Sequence, residues 1–428
     1  MRISSPTQFA SAAILLVLAT SARAEGAPPP TANTFFDLQT IHEIRLTLKA
    51  EEWQKIRYQT DNTYYKATFM WGASSVPVEI RQKGNSSRNP FKPSIKIKFP
   101  KASLFYGVRH LELKSNVQDP TQMKQAITMQ AFAKMGLLTP RETHARVFVN
   151  DQLMGLYLVT EYVDEHFLER HLGDSSGALY DFQPTPEYRF EDLGWHEESY
   201  LTNFQLESPR DADSRPLIDM IKAINNAKYE EFVAKVGDYL DWDQFLTYLA
   251  AEMYFAESDG IAGNTGMNNF YLYFWPKQKR FIFIPVDRDS NFALIEWSLF
   301  QNFDKNVLLR KMLDHPELKQ KYFEKVMKMK EICGGEGGWL QDEIAKRTAL
   351  LADAIAEDPN KQCDQASCTM GRVEEYQKYV YAFAAERPER VTREAESAGY
   401  QPPLPPPASS APQEIFRRGN LRRRRSSL

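Results

Sequence analysis

Cysteine is nearly absent from this chain. Cys333, Cys363 and Cys368 are the three in 428 residues, all in the C-terminal third. None has companion histidines at metal-ligand spacing, which argues against a zinc site. An oxidising compartment permits one disulfide among them, and Cys333 with either Cys363 or Cys368 would clip the C-terminal region together, leaving one thiol free. An excess of one charge is also missing. With 53 Lys and Arg against 56 Asp and Glu the formal charge is −3, so no global field points to nucleic acid or a membrane as partner. No internal repeat occurs. Beyond the N-terminus no apolar run is long enough to cross a bilayer, so the mature chain is expected to have no transmembrane segment.

What is present is a hydrophobic fraction of 43% and an aromatic fraction of 12%, enough to fill one large core or two ordinary ones. The N-terminus, "MRISSPTQFASAAILLVLATSARAEGAPPP", has Arg2, an apolar stretch around Ala13 to Ala19, and "ARA" at Ala22 to Ala24. That is the pattern of a secretory signal peptide over 1–24, cleaved after Ala24. The expected location is therefore exported: periplasmic, secreted or on the cell surface. A Pro-rich linker follows over 25–36. At the other end, "QPPLPPPASSAPQ" and the basic "FRRGNLRRRRSSL" make 401–428 a tail expected to be disordered.

Between these, the first half reads as strands. "IHEIRLTLKA", "VPVEIRQKG", "SIKIKF" and "GVRHLELKS" alternate in the manner of half-buried strands. "HARVFVNDQLMGLYLVTEYV" reads as a hairpin about "ND". "AEEWQKIRYQ", "DPTQMKQAITMQAFAKMG" and "DEHFLERHLG" read as helices. The segment from Asp181 to Pro216 reads as irregular, and from about Pro216 to near 398 the chain reads as mostly helical.

The chemistry gathers around "FIFIPVDRDSNFA". An apolar run, Phe281 to Val286, ends abruptly at Asp287, with Asp289 two residues on. Such a run suits a sheet covered on both faces, and its end is a rigid mount for charged groups. These residues also suit an ordinary turn. Upstream, "LDWDQFLTYLAAEMYFAESD" reads as a helix capped by Asp241 and Gln244 and running to Asp259. It is followed by the polar loop "GIAGNTGMN" with Asn264 and Asn269, and then by a hairpin that delivers Asp287. Helix, Asp, Asn loop, hairpin and Asp is the order protein kinases use: one Asp orients the attacking hydroxyl, while Asn and Asp oxygens hold Mg²⁺ against phosphates. In the first half, "IRQKGNSSRNPFKPSIKIKF" joins two strands through a basic Gly/Ser/Asn loop of a kind that cradles phosphates.

"RQKGNSSRNPFKPSIKIKF", "VFVNDQLMGLYLVTEYVD", "NNFYLYF" and "FIFIPVDRDSNFA", in that order over roughly 40 to 300, resemble the spore-coat protein H (CotH) family of atypical, protein-kinase-like proteins. The resemblance implies an α+β, bilobal kinase-like fold over 37–400, with a strand-rich N-terminal lobe to about 163 and a helix-rich C-terminal lobe from about 164. It implies a phosphotransferase using ATP and Mg²⁺ on Ser or Thr of protein substrates, possibly basic and Ser-rich. By position, Asp259 is the implied catalytic aspartate. Asp287 is the implied metal ligand, with Asn264, Asn269 and Asp289 as further candidates. Lys92 and Lys96 are candidates for the phosphate lysine, Lys96 favoured because it lies inside a strand. Arg81 and Ser86 would line the phosphate loop, and Glu161 would stand at the nucleotide hinge. The chain departs from the pattern in "PVD" for "PWD", in Ala293 for a glycine, in a longer loop after Asp259, and in Arg288 for an apolar residue. None of these removes an oxygen ligand. The alternative is a non-catalytic surface or matrix protein that uses the fold for assembly or adhesion. A metal-dependent hydrolase built on "DRD" lacks the second ligand cluster it needs.

Overall fold

The computed structural model describes residues 31–84, 87–363 and 366–402. The signal peptide, Ser86 and the basic tail lie outside the described residues. The strands, in chain order, are β1 (Ile41–Thr47), β2 (Tyr65–Trp71), β3 (Ser74–Gln82), β4 (Ile95–Lys98), β5 (His110–Lys114), β6 (Glu142–Val149), β7 (Gln152–Glu161), β8 (Leu179–Phe182), β9 (Phe204–Ser208), β10 (Phe270–Trp275), β11 (Arg280–Pro285), β12 (Gln362–Cys363) and β13 (Ala366–Ser367). The helices are α1 (Ala32–Phe35), α2 (Ala50–Arg57), α3 (Lys124–Lys134), α4 (Glu165–Leu172), α5 (Glu198–Leu201), α6 (Arg215–Asn226), α7 (Tyr229–Gly237), α8 (Trp242–Tyr254), α9 (Val307–Leu313), α10 (Pro316–Cys333), α11 (Trp339–Glu357) and α12 (Met370–Ser397). The class is α+β.

The first seven strands close into a barrel in the order β1-β2-β3-β4-β5-β7-β6. Closure comes from β1 lying parallel to β6, with Ile41 opposite His144 and Leu46 opposite Val149. Alternation along each strand sends Ile80, Ile95, Ile97, Leu111, Leu113, Val147 and Val159 into the barrel core. The other phase points outward, and there the register forms one polar row. Arg81 faces Lys96, Lys96 faces Glu112, Glu112 faces Thr160, and Thr160 faces Glu142. The "ND" hairpin forms as the sequence predicts: Asn150 and Asp151 both have positive φ, 47° and 65°, in the two-residue turn that suits strand twist.

A second sheet, β11-β10-β8-β9, explains the apolar run before Asp287. Phe281 and Phe283 pack into the large helical core with α8, while Ile282 and Ile284 pack on the opposite face with Phe167 and Leu168 of α4. The run is apolar throughout because both faces are covered.

Four expectations need correction. The segment from Asp181 to Pro216 is not wholly irregular, since β9 and the end of β8 lie in it; these short strands form by pairing with each other and, through β8, with the distant β10. The helix before Asp259 ends at Tyr254, because Ala256 takes φ 52° and turns the chain out of the helix. Its cap is half a box: Asp241 accepts from the Gln244 N–H at 3.1 Å, but the Gln244 side chain bonds the backbone of Phe283 instead. The disulfide joins Cys363 of β12 to Cys368 just after β13, and Cys333 is the free thiol, buried at the end of α10. Among the described residues no helix is long and apolar enough to cross a membrane.

Candidate active site

The polar row of the barrel faces the second sheet across a cleft of about 600 Å³. One wall carries cations from the barrel: Arg81, Lys83, Lys96 and Lys114. The other wall and floor carry oxygens: Asp181, Glu207, Asp259, Asn268, Asn269, Asp287 and Asp289. A smaller cavity of about 380 Å³ meets it at Gln118 and Asp289 and runs past Ser258, Phe292 and Tyr379.

Asp287 sits just beyond β11 with φ 53°, and Asn269 just before β10 with φ 61°. Left-handed backbone at non-glycine residues costs energy and clusters where a site demands it. Lys114 Nζ donates to Asp287 Oδ1 and to Gln125 Oε1. Burial pushes the Asp287 carboxyl up, but the Lys114 and Lys83 ammonium groups more than reverse this and hold it at about 2. Asp289 moves the other way: burial, with the Asp287 charge beside it, pushes it up to about 6. Burial also raises Asp259, with Asn268 opposing the shift and Asp287 adding to it. Asp259 Oδ2 accepts from Asn268 Nδ2 and Asn269 Nδ2, each at 3.0 Å. The amide oxygens of both asparagines are thus turned away from Asp259.

On the facing wall, Lys83 pairs with Glu112 at 2.5 Å. Lys96, 8% exposed, holds its ammonium 3.2 Å above the centroid of the Tyr162 ring. Burial lowers it to about 8, against the pull of Glu112 and Glu207. It remains mostly protonated at neutral pH.

Beneath the site lies a buried cluster. Arg288 pairs with Glu252 at 2.5 Å and with Glu257 at 3.6 Å, all three side chains at most 1% exposed. Burial and the neighbouring Glu252 charge push Glu257 up to about 8, with Arg288 opposing.

Of the expected site residues, the cleft brings together Asp259, Asn269, Asp287, Asp289, Arg81, Lys96 and Glu161. Glu161 is there, but its carboxylate is taken by Arg141 at 2.9 Å and by Arg170. Lys92 is placed elsewhere, fully buried with its ammonium 2.7 Å from Asp358 Oδ2. Asn264 is exposed outside the cleft lining and accepts from Asn302 Nδ2 at 3.3 Å, bracing the loop. The sequence reading missed Lys83, Glu112, Lys114 and Asn268. Glu112 and Lys114 were findable, since in "HLELK" they take the phase opposite to the core residues Leu111 and Leu113.

The donor set suits Mg²⁺: carboxylate and amide oxygens, no sulfur or imidazole. Among the described residues, the one group of three acid or histidine side chains with ligand atoms within 4.8 Å of one another is Asp164, Glu165 and His166. There Asp164 is already engaged in capping α4 and in binding His110. The cleft carboxylates are set wider. An ion among them would complete its shell with phosphate and water oxygens, as Mg²⁺ commonly does.

A family model described as CotH kinase protein matches residues 80–391 of this chain. The chain belongs to the CotH family. It is 27% identical over 260 residues to the inner spore coat protein H of Bacillus subtilis, covering 58% of this chain and 69% of that one. It is also similar to two proteins of Rhizopus delemar. Invasin CotH7 is 23% identical, over 68% of this chain and 51% of its own length. Spore coat protein homolog 1 is 24% identical, over 53% and 38%. The match thus spans about half or less of these two relatives. Two solved structures align at a TM-score of 0.33, too low to fix the arrangement. One is a Shewanella oneidensis toxin–antitoxin complex of HipA, HipB and operator DNA (11% identity, 83% of this chain and 74% of that one). The other is the Helicobacter pylori proinflammatory kinase CtkA (9% identity, 74% and 95%).

Proposed function

We propose that this CotH-family protein is an exported phosphotransferase of bilobal, kinase-like organisation that uses ATP and Mg²⁺ to phosphorylate Ser or Thr of a protein substrate. The observation that carries the reading is the opposition of charges across one cleft, with Lys83, Lys96 and Lys114 on the barrel wall and Asp259, Asn269, Asp287 and Asp289 on the other. Asp287, Asp289 and the Asn269 amide oxygen would hold Mg²⁺, which when bound draws charge from the phosphate oxygens. Lys96 and Lys114 orient and neutralise the phosphates. Asp259, with Oδ2 fixed by two amides, keeps Oδ1 for an acceptor hydroxyl and its proton. The smaller cavity beside Ser258 gives that acceptor its own approach.

A second reading is favoured by the relatives' names, spore coat protein and invasin: a surface protein that uses the same fold for assembly or adhesion. Nucleotide binding by residues 25–428 with and without Mg²⁺ separates the two. The first reading expects Mg²⁺-dependent binding that Asp287→Ala abolishes. No binding by folded wild-type protein would refute it and leave the second.

A further inference from the structure

We infer that Arg288 is a positioning residue: from the buried cluster beneath the cleft it holds the Asp259 loop, Asn269 and Asp287 in one fixed arrangement. This rests on the phosphotransferase reading for its kinetic consequence, but its structural content stands apart from it.

The argument is where the cluster's hydrogen bonds go. Arg288 Nη2 donates to the Asn269 carbonyl at 3.0 Å and to Tyr248 Oη at 2.8 Å. Tyr248 Oη donates in turn to Glu252 Oε1. The second oxygen of Glu252 accepts from the Ile261 N–H at 2.9 Å. Glu257 Oε1 accepts from the Asp259 N–H at 2.9 Å. The Arg288 N–H reaches Gln125 Oε1 at 3.2 Å, the oxygen that also receives Lys114. One side chain and its two carboxylate partners therefore bond the backbone on either side of Asp259 and at Asn269, while the adjacent peptide bond leads to Asp287. The chain runs so close here that a Cβ on Gly260 would lie 2.4 Å from Glu252 Oε2.

Stability alone does not explain such a cluster. Burying an arginine and two glutamates costs desolvation, and well-packed apolar residues of the same volume are commonly as stable or more so. What apolar residues cannot supply is directional bonding to loop amides and carbonyls. Those bonds fix the separation between the hydroxyl-orienting Asp259 and the ligand oxygens of Asn269 and Asp287, and an error of about 1 Å there costs on the order of 10²-fold in rate.

The test compares wild type, Arg288→Met and the milder Tyr248→Phe as full mature chains. Amide hydrogen exchange is measured without nucleotide or metal, and steady-state turnover is measured with Mg²⁺-ATP. Both variants are expected to speed exchange at 258–269 while leaving the body of α8 protected, and to lower kcat at least tenfold for Arg288→Met with KM for ATP changed less than threefold. If Arg288→Met does not fold, Tyr248→Phe carries the test, with a smaller effect in the same segment. Unchanged exchange at 258–269, or acceleration spread evenly through α8 and the sheet, overturns the inference. Loosened loops with unchanged kcat overturn it as well. A wild type that neither binds nor turns over nucleotide refutes the phosphotransferase reading instead, while the exchange data still decide the role of Arg288.

Discussion

Lys92 and Lys96 lie in the same short segment, one paired in the interior and the other lining the cleft, so on the phosphotransferase reading exchanging each for methionine should produce opposite phenotypes. Lys92 Nζ sits 2.7 Å from Asp358 Oδ2 with both side chains at most 2% exposed. Breaking such a pair by removing one partner costs about 3–5 kcal/mol. The lower figure applies, because Asp358 would still accept from the Leu156 N–H at 3.0 Å and the Asn360 N–H at 2.8 Å. About 3 kcal/mol corresponds to a fall in Tm of roughly 4 °C for a domain of about 360 residues, at an unfolding entropy of about 2.1 cal/mol/K per residue. Nucleotide affinity should not change, since Lys92 does not line the cleft. Lys96 makes no ion pair within 4.0 Å among the described residues, and it reaches the cleft at 8% exposure. Lys96→Met should leave stability within about 1 kcal/mol, because it removes a cation whose burial already costs energy. It should weaken Mg²⁺-ATP binding by about 1.5–3 kcal/mol, the worth of a hydrogen bond to a charged group, or roughly 10- to 150-fold in Kd. Urea unfolding followed by circular dichroism and titration calorimetry read the two axes independently. The reasoning is refuted if Lys92→Met loses nucleotide and keeps stability, or if the two variants share one profile.

Two further predictions concern stability. Gly155 has φ 128°, and a Cβ there would lie 2.2 Å from the Asp358 carboxylate, so Gly155→Ala should destabilise by more than about 2 kcal/mol in chemical denaturation, through strain and through displacement of the Lys92 partner. His144 is buried with Nε2 2.8 Å from the Gln122 carbonyl oxygen, and burial lowers its pKa to about 4. The unfolded chain therefore takes up this proton first as pH falls from about 6.5, so the stability due to neutral His144 is present above that value and is lost towards pH 4, by up to about 3 kcal/mol. Glu142 and Asp181, raised by burial to about 7, act in the opposite sense over the same window. The quantity to measure is accordingly the difference between wild type and His144→Gln, which should shrink as pH falls from 7.5 to 4.5; a constant difference would refute the assignment.

The local patterns were legible where one side of an element is buried and the other wet. Ile95 and Ile97 alternate with lysines because β4 has a core face and a cleft face, and the same alternation marks Lys96 as a cleft residue. The turn at Asn150 and Asp151 was legible because two successive positive φ values call for Asn and Asp. Closure of the barrel was not. It depends on β1 meeting β6 in parallel register, a pairing set by what lies about a hundred residues away rather than by either strand's own sequence. The short β8 and β9 escaped for the same reason: four or five residues of mixed polarity become strands only when β10 offers β8 an edge and β8 in turn offers one to β9.

Where a site candidate already has a partner inside the protein, one physical cause recurs. A lysine, an asparagine or a glutamate in a motif can bond a ligand or another part of the protein, and sequence spacing does not say which. Lys92 finds Asp358, Glu161 finds Arg141 and Arg170, and Asn264 finds Asn302, each a partner remote in sequence. Arg288 reverses the case. As a charged residue in an apolar slot it reads as a defect of the motif, yet Glu252 and Glu257 on the preceding helix and turn meet it in the interior. A lone arginine there would be prohibitively costly to bury. Here Arg288 is held by Glu252 and lies beside Glu257, whose other oxygens accept from the amides of Ile261 and Asp259. The departure from the motif is therefore to be judged together with its partners: Arg288→Leu alone should be less stable in chemical denaturation than Arg288→Leu combined with Glu252→Leu, because the double change removes the carboxylate that the single change leaves buried and uncompensated, and equal stability of the two would refute the coupling.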